Sequence, residues 1–200
     1  MGAIRLYMTM SLDGYVAGPD DTPDAPLGVG GFRLFNWLDL REKPGPSGEV
    51  YAEAMATRAV ISGRRTFELA NRWHGDHHDG VPIFVLTHDI PKEPPPGSAR
   101  YVTDVHEAAH SARAAAGDEA VLVHGAGAAQ ALLRSGELDE LELHVVPVLL
   151  GQGRRLFDNL PPDHVELELV RRMTTSADVD PERQVTHLRY RVAGPTRNAR

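Results

Sequence analysis

The segment EAVLVHGAGAAQALL, Glu119 to Leu133, decides the fold. Ala120 to Val123 is an unbroken apolar run of strand length, and it ends in the glycine-spaced turn Gly125-Ala126-Gly127. Alanines and leucines follow, residues of high helix propensity. The pattern predicts a buried strand that passes through glycines into a helix. The first N–H groups of such a helix have no intrahelical partner, and the helix dipole adds positive potential there, so the turn is suited to a pyrophosphate. The same turn can also serve only to pack a helix against a sheet.

A second segment has the same grammar. In AVISGRRTFEL, Ala59 to Leu69, a short apolar strand reaches Gly63, and Arg64, Arg65 and Thr66 open the next helix. Basic residues in a first turn oppose the helix dipole, which argues that they serve an anion. Guanidinium groups can hold a phosphate bidentately. Two strand-to-helix anion turns in one chain point to a ligand with more than one phosphate, such as a dinucleotide.

Composition narrows the classes. At 200 residues, with 42% hydrophobic and 24% charged residues, the chain has the makings of one globular domain with its own core. A net charge of −7 argues against general binding of nucleic acid or anionic membranes. The absence of cysteine removes thiol nucleophiles, disulfides and cysteine–zinc sites. No apolar stretch approaches the ~20 residues of a membrane span, and MGAIRLYMTMSLDGY lacks a signal-peptide core, so a cytoplasmic location is expected.

Strands are expected at Ile4 to Met10 and Tyr15 to Ala17, around the Asp13-Gly14 turn, with a surface loop at 18 to 33. Leu34 to Leu40 predicts a short amphipathic helix, Pro44 to Gly48 a break, and the residues around Tyr51 and Met55 a helix. Then come a histidine loop (WHGDHHDG), the strand Pro82 to Leu86, a proline-rich loop, a short strand at Tyr101-Val102 and a helix over Val105 to Ala116. Leu138 to Val148, Val165 to Met173 and Gln184 to Val192 are three further strands, the last two a hairpin, and 193–200 is expected to be a disordered tail. This order predicts an α/β fold with a mostly parallel central sheet, an antiparallel C-terminal edge and helices on both faces.

SLDG after the first strand, then GRRTFE, VLTH, HGAGAAQALL and LDELELHVVPVLLGQGRRLF, in that order, resemble the dihydrofolate-reductase-like superfamily. The nearest branch is the reductase domain of the bacterial riboflavin-biosynthesis deaminase–reductase and its stand-alone relatives. The resemblance covers Ile4 to Val192 and implies NADPH as hydride donor to a small heterocyclic or sugar-derived substrate. Carried over, Gly63, Arg64, Arg65 and Thr66 would lie against the cofactor's phosphates. Thr87 and His88 would sit near the 2′-phosphate, and Gly125, Ala126, Gly127 and Ala128 would cradle the pyrophosphate. The chain departs from that branch at Tyr15, where a lysine is usual, and at His124, where a glutamate is usual. The branch also implies a homodimer, with LHVVPVLL as an interface element.

Other residues are candidates on their own chemistry. Asp13, at the proposed substrate mouth, and His124, at a strand end beside the cofactor turn, could donate a proton or simply serve a turn and a core. Trp37 and Phe35 could wall a flat ring or pack the core. The resemblance adds that true dihydrofolate reductases hold the pterin with a carboxylate on the helix preceding the second strand, which makes Glu49 or Glu53, and further Asp39, candidate substrate carboxylates. His74, His77 and His78 lack a regular ligand frame, so no metal is expected. Two other readings remain: a nucleotide-binding protein without catalysis, and an ordinary dinucleotide-binding Rossmann enzyme, which predicts an acid about 20 residues past the turn.

Overall fold

The computed structural model describes residues 2–158, 160 and 164–193. Most of the tail expected at 193–200 lies outside the described residues. The opening strand β1 (Ile4–Ser11) and the short β2 (Tyr15–Ala17) flank the Asp13-Gly14 turn, in which Gly14 N–H donates to the Ser11 carbonyl at 3.0 Å. Tight 3-10 turns over Gly31–Leu40 bury Leu34 and Trp37 where a short helix was expected. Helix α1 (Pro46–Met55) starts inside the predicted break, because proline has its φ preset for the first helical position and no N–H to lose there.

The remaining elements follow the expected alternation. They are β3 (Ala59–Gly63), α2 (Arg64–Leu69), β4 (Ile83–Leu86), β5 (Ala99–Val102), α3 (Val105–Ala116), β6 (Val121–His124), α4 (Ala126–Ser135) and β7 (Glu140–Val146). A two-residue β8 (Arg154–Arg155) and the hairpin β9 (Leu167–Thr174) and β10 (Thr186–Val192) complete the described chain. Asp104 caps α3 by accepting from Glu107 N–H at 2.8 Å.

Eight strands form one sheet in the order β5-β4-β3-β6-β1-β7-β10-β9. The pairs from β5 to β7 are parallel, and β10 is antiparallel to both β7 and β9. Strand alternation sorts the core into two layers. Ile61, Val121 and Val123 pack with Ala108, Ala112 and Leu132 of α3 and α4, whereas Val60 and Leu122 pack with Ala54 and Phe67 of α1 and α2. Helices therefore cover both faces, which explains why the central strands read as continuous apolar runs. Among the described residues no helix is long and apolar enough to cross a membrane.

The antiparallel end is held by charge. Glu142 on β7, almost wholly buried, meets Arg189 on β10 and, at 3.2 Å, Arg171 on β9. Glu53 on α1 binds the same two arginines. Burial alone would raise the Glu53 pKa, but its hydrogen bonds to Arg171 and Arg189 and their charges outweigh it and hold the carboxyl below its ordinary value.

Beneath α1, the fully buried His144 and His187 share an Nδ1···Nδ1 contact of 2.8 Å, and His187 Nε2 lies 3.2 Å from Ser47 Oγ. Burial, and then the charge of Arg171, lowers the His187 pKa from 6.5 to about 4. The unfolded chain therefore binds more protons between those values, so folding stability drops as pH falls through that window. Urea titrations between pH 7 and 4 should show the drop, and His187→Gln should make it shallower. Identical slopes for the two proteins would contradict the assignment.

Candidate functional site

β1 pairs with β6 only as far as Leu6↔Val123, yet it stays with β7 to Ser11↔Val146. From Tyr7 onward the β6-side edge of β1 has no strand partner, because β6 ends at His124 and turns through Gly125 into α4. The sheet splits there at strand carboxyl ends, the usual place for a ligand crevice in an α/β fold.

An apolar cleft of about 480 Å³ fills the split. Phe35, Trp37, Leu38, Tyr51, Met55, Leu69 and Trp73 wall it, and Tyr7, Thr9, His77 and His124 supply polar groups. Trp37 is deeply buried and donates from Nε1 to Thr9 Oγ1 at 3.1 Å, so it is both core and cleft wall. Tyr7 Oη is buried and has no hydrogen-bond partner among the described residues.

Two polar hollows adjoin the cleft. One, of about 530 Å³, is lined by Gly63, Arg64, Arg65, Thr66, Thr87, His88, Gly127 and Ala128. The other, of about 480 Å³, lies against Ala126, Gly127, Gln130, Arg154 and Arg155. Thr66 is shared by the cleft and the first hollow, Ala126 by the cleft and the second, and Arg154 by all three. The three spaces meet around the start of α4.

The two glycine turns abut. A Cβ on Gly63 would come 3.5 Å from Ala128 N, and one on Gly125 would come 2.4 Å from Thr66 Oγ1. Gly125 also has φ of 97°, a conformation that side chains rarely adopt. Among the described residues no side chain caps the N-terminus of α2 or α4. Arg64 reaches Glu68 at 2.8 Å and the Asp89 carbonyl at 3.4 Å. Arg65 and Arg154 converge on Asp21 at 2.7 and 3.4 Å, strapping the loop before the 3-10 turns across the mouth. Burial opposes ionisation of Asp21, but the Arg65 hydrogen bond and both arginine charges prevail and lower its pKa.

His124 lies at the cleft edge, with Nδ1 3.1 Å from the Tyr7 carbonyl and Nε2 3.0 Å from His77 Nε2. Burial lowers its pKa to about 4, partly offset by the Tyr7 hydrogen bond. His77 was not expected here. It arrives because Asn71 to His74 all take positive φ, a left-handed turn that swings Trp73 and His77 over the split. Four successive glycine-free residues in that region carry strain of the kind found at functional sites, and nothing in the residue pattern announces it. Among the described residues no group of three or more His, Cys, Asp or Glu is placed to hold a metal.

Three expected site residues lie elsewhere. Asp13 is a loop clip: its carboxylate accepts from Leu150 N–H at 3.1 Å, Gly151 N–H at 2.7 Å and Ser11 Oγ at 2.5 Å. Asp39 pairs with Arg183 at 3.1 Å on the surface, and Glu53 belongs to the arginine cluster beneath the sheet. None of the three lines the cleft or either hollow. Tyr15, next to the Asp13 turn, is buried under Arg155, whose guanidinium lies 4.6 Å from its ring. In the LHVVPVLL stretch, Leu143 to Val146 belong to β7, which is paired on both edges, with β1 and with β10.

A family model described as the RibD C-terminal domain matches residues 3–180. No curated protein matches the sequence. A solved structure from Shewanella sp. PV-4, described as a riboflavin biosynthesis protein, is 22% identical, with a TM-score of 0.69 over 96% of this chain and 99% of that one. Dihydrofolate reductase from Enterococcus faecalis, complexed with NADP(H) and RAB-propyl, is 15% identical, with a TM-score of 0.60 over 96% of both chains. The fold is thus dihydrofolate-reductase-like.

The fit of Gly125 against Thr66 gives a direct check. Gly125→Ala should destabilise the protein by about 2 kcal/mol, the order of cost of a strained backbone position, in urea unfolding. A change within the scatter of the wild type would show that the two turns are not locked together.

Proposed function

The chain belongs to the RibD C-terminal domain family, and we propose that it is a reductase that uses NADPH to reduce a C=N or C=O bond of a flat, neutral heterocycle. The observation that carries the cofactor reading is the pair of abutting glycine turns with uncapped helix starts, opening on one groove beside Arg64 and Arg65. A pyrophosphate fits the start of α4 at Gly125, Ala126, Gly127 and Ala128, where a larger side chain at Gly125 would strike Thr66. Arg64, Thr87 and His88 line the hollow that would take the 2′-phosphate. When bound, NADPH supplies the hydride; the chain orients the two reactants, excludes water and supplies a proton.

The cleft's chemistry favours a heterocycle over a sugar phosphate. Among the described residues lining it, only Asp21 and Arg154 carry full charge at neutral pH, and they pair with each other where the cleft meets the polar hollow. A phosphate buried deeper would have no cationic partner, a large desolvation cost. Aromatic walls instead suit a ring that stacks.

Calorimetric titration should give NADPH at least about tenfold tighter binding than NADH, the scale of one charge-assisted contact, and Arg64→Ala should remove most of that preference. With NADPH present, 6-methyl-7,8-dihydropterin should bind and uridine 5′-monophosphate should not. Equal affinity for the two cofactors would contradict the phosphate site, and preferential binding of the nucleotide would contradict the neutral-ring reading.

A further inference from the structure

A chain of three imidazoles runs along one wall of the cleft, and its hydrogen bonds can be counted. His124 Nδ1 faces the Tyr7 carbonyl at 3.1 Å, and His124 Nε2 faces His77 Nε2 at 3.0 Å. His77 Nδ1 faces His78 Nδ1 at 2.7 Å, and His78 Nε2 faces the Thr57 carbonyl at 3.0 Å. Both ends are carbonyl oxygens, which only accept. Thr57 Oγ1, 3.3 Å from His78 Nε2, adds no proton there, because it donates to the Ala54 carbonyl at 2.7 Å. Four contacts therefore need four protons, and three neutral imidazoles carry three.

We propose that this chain holds one proton in excess and delivers it into the cleft during reduction, with His77 as the donor and His78 as the group that resupplies it. The delivery step rests on the reductase reading above; the stored proton does not. One arrangement satisfies every contact without charging the two rings at the cleft. His124 donates from Nδ1 to Tyr7, His77 from Nε2 to His124, and His78, as the imidazolium, from Nδ1 to His77 and from Nε2 to Thr57. Burial, and the neighbouring rings with it, disfavours a charge on His77 and on His124. The other titratable groups facing the chain are Tyr7 on β1 and, farther off, His144 on β7, and both stay neutral through burial. On the loop itself, Asp76 caps Gly80 N–H at 3.0 Å, and Asp79 lies next to His78 in sequence. Among the described residues no carboxylate forms an ion pair with any of the three rings.

The step balances. Reduction of a C=N bond places a hydride on carbon and a proton on nitrogen, and the hydride is that of NADPH. The substrate nitrogen replaces His124 Nε2 as acceptor of the His77 Nε2 proton; as it takes that proton, the Nδ1 proton of His78 passes to His77 Nδ1. The imidazolium at His78 thereby becomes neutral and His77 ends neutral with its proton on Nδ1; once product leaves, water in the cleft returns a proton to His77 Nε2, and the Nδ1 proton passes back to His78. Trp73, whose ring centroid is 4.7 Å from that of His77, holds the donor ring in place.

The test begins with nitrogen NMR of the imidazoles in the substrate-free protein. One positive charge shared by the three rings at neutral pH is expected in the wild type. In His78→Gln the amide can donate to His77 Nδ1 while its oxygen accepts, so the two remaining rings should both be neutral. Three neutral rings in the wild type would overturn the stored proton. The second arm follows NADPH oxidation with 6-methyl-7,8-dihydropterin against pH. His78→Gln should slow it at least about tenfold, the low end of general-acid catalysis, flatten the pH profile and leave NADPH affinity unchanged. An unchanged rate and profile would overturn the delivery. A wild type that shows the shared charge but oxidises no NADPH would overturn the reductase reading, and the delivery with it, while the stored proton stands.

Discussion

The parting of β6 from β1 after Leu6↔Val123 is the constraint on which the rest of the structure depends. It requires a backbone turn at Gly125 with φ of 97° and no side chain, because Thr66 already occupies the space a Cβ would take. That turn ends β6, starts α4 with unpaired N–H groups and leaves an unpartnered edge on β1. Cleft, uncapped helix start and polar groove are three consequences of one local event. Because β3 turns into α2 beside it, the second basic turn is fixed by packing rather than by a loop.

Charge and apolar surface are kept apart along the ligand path. Arginines gather at the groove and at the mouth, where Asp21 pairs with Arg65 and Arg154. Aromatic and aliphatic side chains take over where the reacting rings would meet. A third group of ions, around Glu142, sits on the far side of β7, where it fastens α1 to the antiparallel hairpin. Charged residues of one sequence thus line a groove, fasten a loop and hold the scaffold, and only their spatial partners tell these places apart.

That division explains what could be read in advance. The two glycine turns, the order of strands and helices and the antiparallel finish follow from local patterns: apolar runs of strand length, glycine spacing and alternation. Those patterns depend on neighbours in sequence, so they survive without coordinates. What Asp13, Asp39 and Glu53 touch could not be read in advance, because their partners lie 137, 144 and 118 positions away. His77 was missed for a different reason. Its place depends on a left-handed turn at Asn71 to His74 that contains no glycine, against the ordinary preference of those residues. The polar histidine loop was visible as such, but only the fold shows that it closes over His124.

The most direct test of the central claim, that the split between β1 and β6 with its two glycine turns is a dinucleotide site, is hydrogen exchange with and without saturating NADPH. Amides at Gly63–Phe67 and Gly125–Ala129 should slow together, with the edge strand β9 unchanged. A footprint that misses both turns, or falls on β9, would contradict the account.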